Sequence, residues 1–142
     1  MAYTPIYVSV AEVKTFVSDK LQKAAYGSPV DDAKILEDVE RVEAKMRAYI
    51  VGVYSGTITE ATDLAILKDI ALTLVLVKTY SRIDNARIPE SVVLDKEGAM
   101  KELKNICNGV IQLDSARDFS SCKPSTMKIK SRAHSFKDKR IY

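Results

Sequence analysis

Six apolar residues, Ile35, Val39, Val42, Met46, Tyr49 and Val53, recur at intervals of 4, 3, 4, 3 and 4. A strand would alternate its faces at every second residue, whereas this rhythm puts all six on one side of an α-helix. At 1.5 Å per residue the seam is about 27 Å long. Glu37, Glu40, Arg41 and Lys45 fall largely outside it. A helix this long with one apolar side has to lay that side against other helices, so the seam commits the chain to helical packing.

The flanking segments supply those helices. Ser9 with Glu12 three residues on is a capping-box pattern, and Val13, Phe16, Val17 and Leu21 then share a face, which predicts a first helix behind an extended lead-in, Tyr3 to Val8. Ser28 and Pro29 suit the start of the seam helix, with Asp31 or Asp32 as competing caps. Thr59 can cap a third helix carrying Leu64, Leu67, Ala71 and Leu74, which Ile66, Ile70 and Val77 make apolar on more than one side. Such a helix needs either three intramolecular neighbours or a partner subunit. Pro89 fits the first turn of a fourth helix with face Ala99, Leu103, Ile106 and Val110, ended by Asn108 and Gly109. The connections Val53 to Thr59 and Arg82 to Pro89 are short enough to return adjacent helices against each other. The expected fold is all-α: a small bundle of four helices, residues 1–113, followed by an extended C-terminal arm, 114–142, with a possible short strand or hairpin at Thr126 to Arg132.

Charge divides the chain at the same boundary. Residues 1–113 carry 14 Lys and Arg against 16 Asp and Glu, a net of −2, and residues 114–142 carry 8 against 3, a net of +5. The overall +3 therefore belongs to the arm. Hydrophobic residues at 46% and charged residues at 29% favour neither a disordered nor a membrane chain. The most apolar run, Ile70 to Val77, is too short to span a bilayer. The opening MAYTPIYVSVAEVKTF, which carries polar residues and an acid throughout, does not read as a signal sequence.

Reactive constellations are scarce. Cys107, Cys122 and the single histidine, His134, cannot make a four-ligand zinc site from cysteine and histidine or a disulfide framework. Cys107 reads as a small buried hydrophobe and His134 as a solvated or interface residue. Asp31 and Asp32 read as helix caps, and Glu37, Glu40 and Glu43 lack further ligands to converge with them. Tyr49 and Tyr54 beside Gly52 read as the closing end of the apolar seam. Walker, dinucleotide and HExxH patterns are absent, and five glycines and no tryptophan disfavour glycine-built phosphate loops. No catalytic, cofactor-binding or metal-binding residue, and no cofactor, is expected.

The arm is where binding is expected. Phe119, Met127, Ile129, Phe136, Ile141 and Tyr142 supply spaced apolar anchors among Lys123, Lys128, Lys130, Arg132, Lys137, Lys139 and Arg140. That mixture suits docking on a protein partner, while the charge alone also suits phosphate contacts.

Four segments carry a resemblance to a known family: YVSVAEVKTFV, VDDAKILEDVERVEAKMRAYIVGVY, LAILKDIALTLVLVKTY and IPESVVLDKEGAMKELKNICNGVIQL. Their order resembles the phage head-tail connectors or head-completion adaptors, the Mu-like group among them. Tyr49, Ile50, Gly52 and Tyr54 look like that family's helix-ending YLxGRY-type pattern, with Val53 where arginine is frequent. The likeness covers approximately residues 6–113; the proline-rich passage after the second helix is reduced here to SGTITEATD, and the basic extension is longer than in many members.

The resemblance implies a non-catalytic helical protomer, a virion component at the head-tail junction that assembles in the host cytoplasm. It implies neighbouring copies in a ring, commonly twelve, below the portal protein, leading to the stopper or tail-completion protein, with possible non-specific contact with channel DNA and none with membrane. It also implies that the arm docks on the portal or on an adjacent subunit. Two alternatives stand beside this expectation: a nucleic-acid-binding accessory protein using the basic arm, and a small enzyme or regulatory domain, for which the residues offer little.

Overall fold

The computed structural model describes residues 3–51, 58, 60–111 and 113. It is all-α: α1, Val10–Phe16; α2, Asp19–Tyr26; α3, Asp32–Ile50; α4, Ala61–Ser81; and α5, Glu90–Asn108. Among the described residues there is no strand. The expected first helix is two, so the described residues hold five helices where four were expected. The arm expected at 114–142, with its possible strand, lies outside the described residues.

The break between α1 and α2 has a local cause. Ser9 and Glu12 close the capping box, Ser9 N–H donating to Glu12 Oε2 at 2.8 Å and Glu12 N–H to Ser9 Oγ at 3.3 Å. At the other end Val17 turns extended, with ψ of 135°, and its amide closes α1 on the Val13 carbonyl. The buried Gln22 side chain then donates through Nε2 to the carbonyls of Lys14 and Val17 at 2.7 and 2.6 Å. Carbonyls orphaned at the end of α1 thus receive donors from α2, which offsets the cost of ending one helix and starting another.

The seam helix α3 is capped by Asp31, whose carboxylate accepts from Ala33 N–H at 3.0 Å, so the start lies beyond Ser28 and Pro29, which are joined by a cis peptide. Ile35, Val39, Val42 and Met46 are buried with at most 2% exposure, and Tyr49 is half-buried. Burial of each such side chain stabilises by about 1.5–3 kcal/mol. The helix ends at Ile50, and Val53, expected as the last seam residue, lies outside the described residues. Pro89 is the cap of α5 rather than its first helical residue, and Gly109 ends that helix with a left-handed φ of 79°. Left-handed backbone there lets the amides of Val110 and Ile111 turn back to the Asn105 carbonyl.

Helix α4 is the centre of the bundle. It packs against α5 and α3 most extensively and against α2 and α1 as well. Of its 21 residues only Ala61, Thr62, Ala65, Asp69, Lys78 and Ser81 are exposed. The breadth of its apolar surface, which left a partner subunit open as cover, is therefore accounted for within the chain. Glu60 occupies its cap position. Leu113, buried five residues beyond α5, seats the end of the body in the core.

Candidate functional site

Two buried polar clusters and one open groove hold the chemistry of the bundle. The first cluster centres on Glu43, which faces inward from α3 with no exposed surface. Its Oε1 accepts the amides of Tyr7 at 2.7 Å and of Val8 and Ile6 at 3.1 Å. Its Oε2 accepts Ile6 N–H at 2.9 Å and the Tyr3 hydroxyl. One carboxylate thus holds the whole lead-in against α3, with donors saturating its lone pairs. Burial first, and then Glu43 itself, push the Tyr3 hydroxyl well above the usual phenol range; burial and Glu43 raise Tyr7 too.

The second cluster ties α2, α3 and the end of α4. Tyr26, buried, donates to Asp38 Oδ2 at 2.8 Å and meets Thr79 Oγ1 at 2.9 Å. Arg82 grips the same carboxylate with Nε on Oδ2 at 2.7 Å and an NH2 on Oδ1 at 2.9 Å. Its guanidinium also lies over the Tyr26 ring, 5.5 Å from the centroid, and reaches Glu37 at 3.4 Å. The Asp38 hydrogen bond holds the guanidinium more firmly protonated than usual, and burial pushes the Tyr26 phenol upward. Bidentate pairing with stacking is the use arginine serves better than lysine.

Both clusters direct their donors and acceptors at the chain itself, and this is a fold-holding arrangement. Of the acids singled out from the sequence, Asp31, Asp32 and Glu37 also turn to partners within the chain. Asp31 caps α3, Asp32 pairs with Lys14 at 2.5 Å, Glu37 pairs with Arg41, and Glu40 is exposed. They do not converge, and among the described residues no three His, Cys, Asp or Glu side chains are grouped to hold a metal ion. Cys107 is half-buried against the core with a free thiol. All thirteen arm residues expected to dock, Phe119, Lys123, Met127, Lys128, Ile129, Lys130, Arg132, Phe136, Lys137, Lys139, Arg140, Ile141 and Tyr142, lie outside the described residues, as do Gly52, Tyr54, Cys122 and His134.

The groove lies between α4 and α5 and has a volume of about 300 Å³. Ile70 and Ala99 form its floor with Leu94 at 59% exposure beside them, and Asp69, Thr73, Asp95 and Glu102 stand around it. Gly98 lies in its wall, and a Cβ there would meet nothing within 4 Å. Among the described residues none of the three carboxylates is paired with a lysine or arginine. Nor does either acid on α5, or Asp69 on α4, have a basic residue three or four positions away on its own helix. The groove is therefore a solvent-facing concentration of negative charge over a small apolar floor. A sequence signal for it exists, since acids at 95 and 102 flank a mid-helix glycine, but only the packing of α4 brings in Asp69.

No protein-family model, no curated protein and no solved structure matches the chain.

Proposed function

We propose that this protein is a structural head-tail connector, an adaptor of a tailed phage that forms a ring below the portal and joins the DNA-filled head to the stopper or tail. The observation carrying this reading is the ordered four-segment resemblance over approximately residues 6–113. Those segments correspond to the lead-in with α1, to α3, to α4 and to α5. Buried polar groups that serve the fold, such as Glu43 and Asp38, are in keeping with an assembly role for the body. Its mechanism is spacing and docking: the bundle sets the width of one ring position, and the arm, with its charge of +5 and spaced anchors, engages the portal, the stopper or a neighbouring copy. A closed ring uses unlike faces of identical protomers. Ile6 and Phe16, each 49% exposed near the start of the chain, and Val110, 73% exposed near the end of the body, are apolar side chains available to such faces.

Reconstitution with the cognate portal, imaged by electron microscopy, tests the reading. A ring of the protein seated on the portal is the expected result; failure to associate with a portal that is itself a stable ring overturns it. The arm's charge favours a second reading, a nucleic-acid-binding accessory protein, which expects duplex or single-strand binding that weakens steeply with salt. Removal of residues 114–142 separates the two: loss of DNA binding with portal association untouched favours the second.

A further inference from the structure

We infer that the acidic groove between α4 and α5 is the docking site of the chain's own basic segment, residues 123–132, which folds back onto the body that carries it. The inference concerns the free protomer, before the arm engages a partner, does not depend on the connector reading, and rests on three features of this molecule.

The groove is complementary to that segment in both charge and shape. Asp69, Asp95 and Glu102 border one opening without basic partners among the described residues, a negative edge that complements a cationic segment. Lys123, Lys128, Lys130 and Arg132 lie in the longest stretch of the arm without an acid, residues 119–137. Met127 and Ile129 alternate with the lysines, so an extended segment turns both toward the floor of Ile70, Ala99 and Leu94. Long lysine stems then bend to the rim carboxylates.

Gly98 is the second feature. A glycine inside a helix costs stability relative to alanine, and here no neighbouring group within the fold occupies the space its Cβ would fill. The open slot lets another chain approach the α5 backbone in the wall of the groove that the three acids border.

The third is reach. Gly98 is ten residues, about 15 Å, from the C-terminal end of α5, and the body ends at the buried Leu113. The 14 residues from Leu113 to Met127 span up to about 45 Å when extended. A tether of that length gives an effective concentration near the millimolar range, so in dilute solution the chain's own segment outcompetes that of a second copy.

The test uses the full chain. Equal amounts of 14N-labelled and 15N-labelled protein are mixed at low ionic strength, treated with a zero-length carbodiimide that joins lysine amines to carboxylates, and mapped by peptide mass spectrometry. Links between Lys14 and Asp32 and between Lys68 and Glu12, which form ion pairs in the body, report that coupling has worked. Links from Lys123, Lys128 or Lys130 to Asp69, Asp95 or Glu102, with both peptides carrying the same isotope, are expected. They should vanish near 1 M salt, where the Debye length is about 3 Å. Coupling of the body pairs without arm-to-groove links overturns the inference, and so do arm-to-groove links of mixed isotope, which assign the groove to a second copy. As an independent readout, D69N/D95N/E102Q should move the Gly98 amide resonance of the full chain in the same direction as high salt does; a resonance indifferent to both overturns the inference as well.

Discussion

Glu43 ties the lead-in to α3 through one buried carboxylate, and its replacement by alanine is the sharpest test of that packing. The substitution removes the acceptor of the Tyr3 hydroxyl and of the amides of Ile6, Tyr7 and Val8. Val8 is only 1% exposed, so its amide finds no water while the lead-in stays docked, and an unmet buried donor costs about 1–3 kcal/mol. Ile6 and Tyr7 are more accessible, and solvent recovers part of their loss. Detachment of the lead-in bounds the total, because the chain can then hydrate those amides while giving up the packing of Val8 and the two tyrosines. On these grounds Glu43→Ala costs about 3–5 kcal/mol. Glu43→Gln keeps one acceptor oxygen for the backbone amides but sets an amino group where Ile6 N–H now donates, so it costs less, about 1–2 kcal/mol. Denaturant unfolding followed by far-UV circular dichroism gives both values, and hydrogen exchange at the Tyr7 and Val8 amides locates the loss. An alanine variant within about 0.5 kcal/mol of the parent, or a glutamine variant as damaged as alanine, refutes the reasoning.

Val42→Asp puts a carboxylate at the centre of the α3 seam, where only 2% of the residue is exposed, and is expected to cost about 2–4 kcal/mol in denaturant titrations. Arg82→Lys keeps the charge but loses the bidentate grip on Asp38 and the stacking on Tyr26; a loss of about 1–2 kcal/mol, exceeded by Arg82→Ala, is the expected ranking. In about 1 M salt, which frees the groove of the basic segment, Gly98→Ala meets no group of the body and should raise stability by about 0.5–1 kcal/mol in the same assay. Because Tyr3, Tyr7 and Tyr26 are all raised in the folded state, their contribution is full below the ordinary phenol value near pH 10 and is lost as pH climbs beyond it. Ultraviolet titration should show these three hydroxyls ionising only above the ordinary phenol value, with unfolding accelerating over the same range.

The parts of this fold that were legible in the sequence are those decided within a few residues of one another. The burial of Ile35, Val39, Val42 and Met46 follows from spacing along α3, and the caps at Ser9 with Glu12 and at Gly109 follow from local hydrogen-bond chemistry and from glycine's tolerance of positive φ. What spacing conceals is the partner of a charged residue. Asp38 and Glu43 flank the seam, three and four positions from Ile35 and Val39, and nothing in that spacing marks them as buried. Their burial depends on Tyr26 and Arg82 for one and on the lead-in amides for the other, groups 12 to 44 residues away in the chain. The break at Val17 was hidden for the same reason, because Val13, Phe16, Val17 and Leu21 keep helical spacing straight through it. Only Gln22, reaching back across the gap, explains why the backbone can stop there. Of the candidate sites, the acids on α5 could be read directly, whereas the groove they border required the placement of α4.

The central position of α4 has a bearing on how the chain is made. The helices that precede it can touch one another, but the broadest apolar surface in the bundle arrives only with residues 61–81. On a ribosome adding roughly 5–20 residues per second, that helix takes about 1–4 s to synthesise, and until it emerges the seam of α3 lacks its main cover. Collapse of the body is thus deferred to the point in translation when Ser81 clears the exit tunnel. A nascent chain arrested before α4 should stay accessible to chaperones and proteases, while one arrested after α5 should resist them.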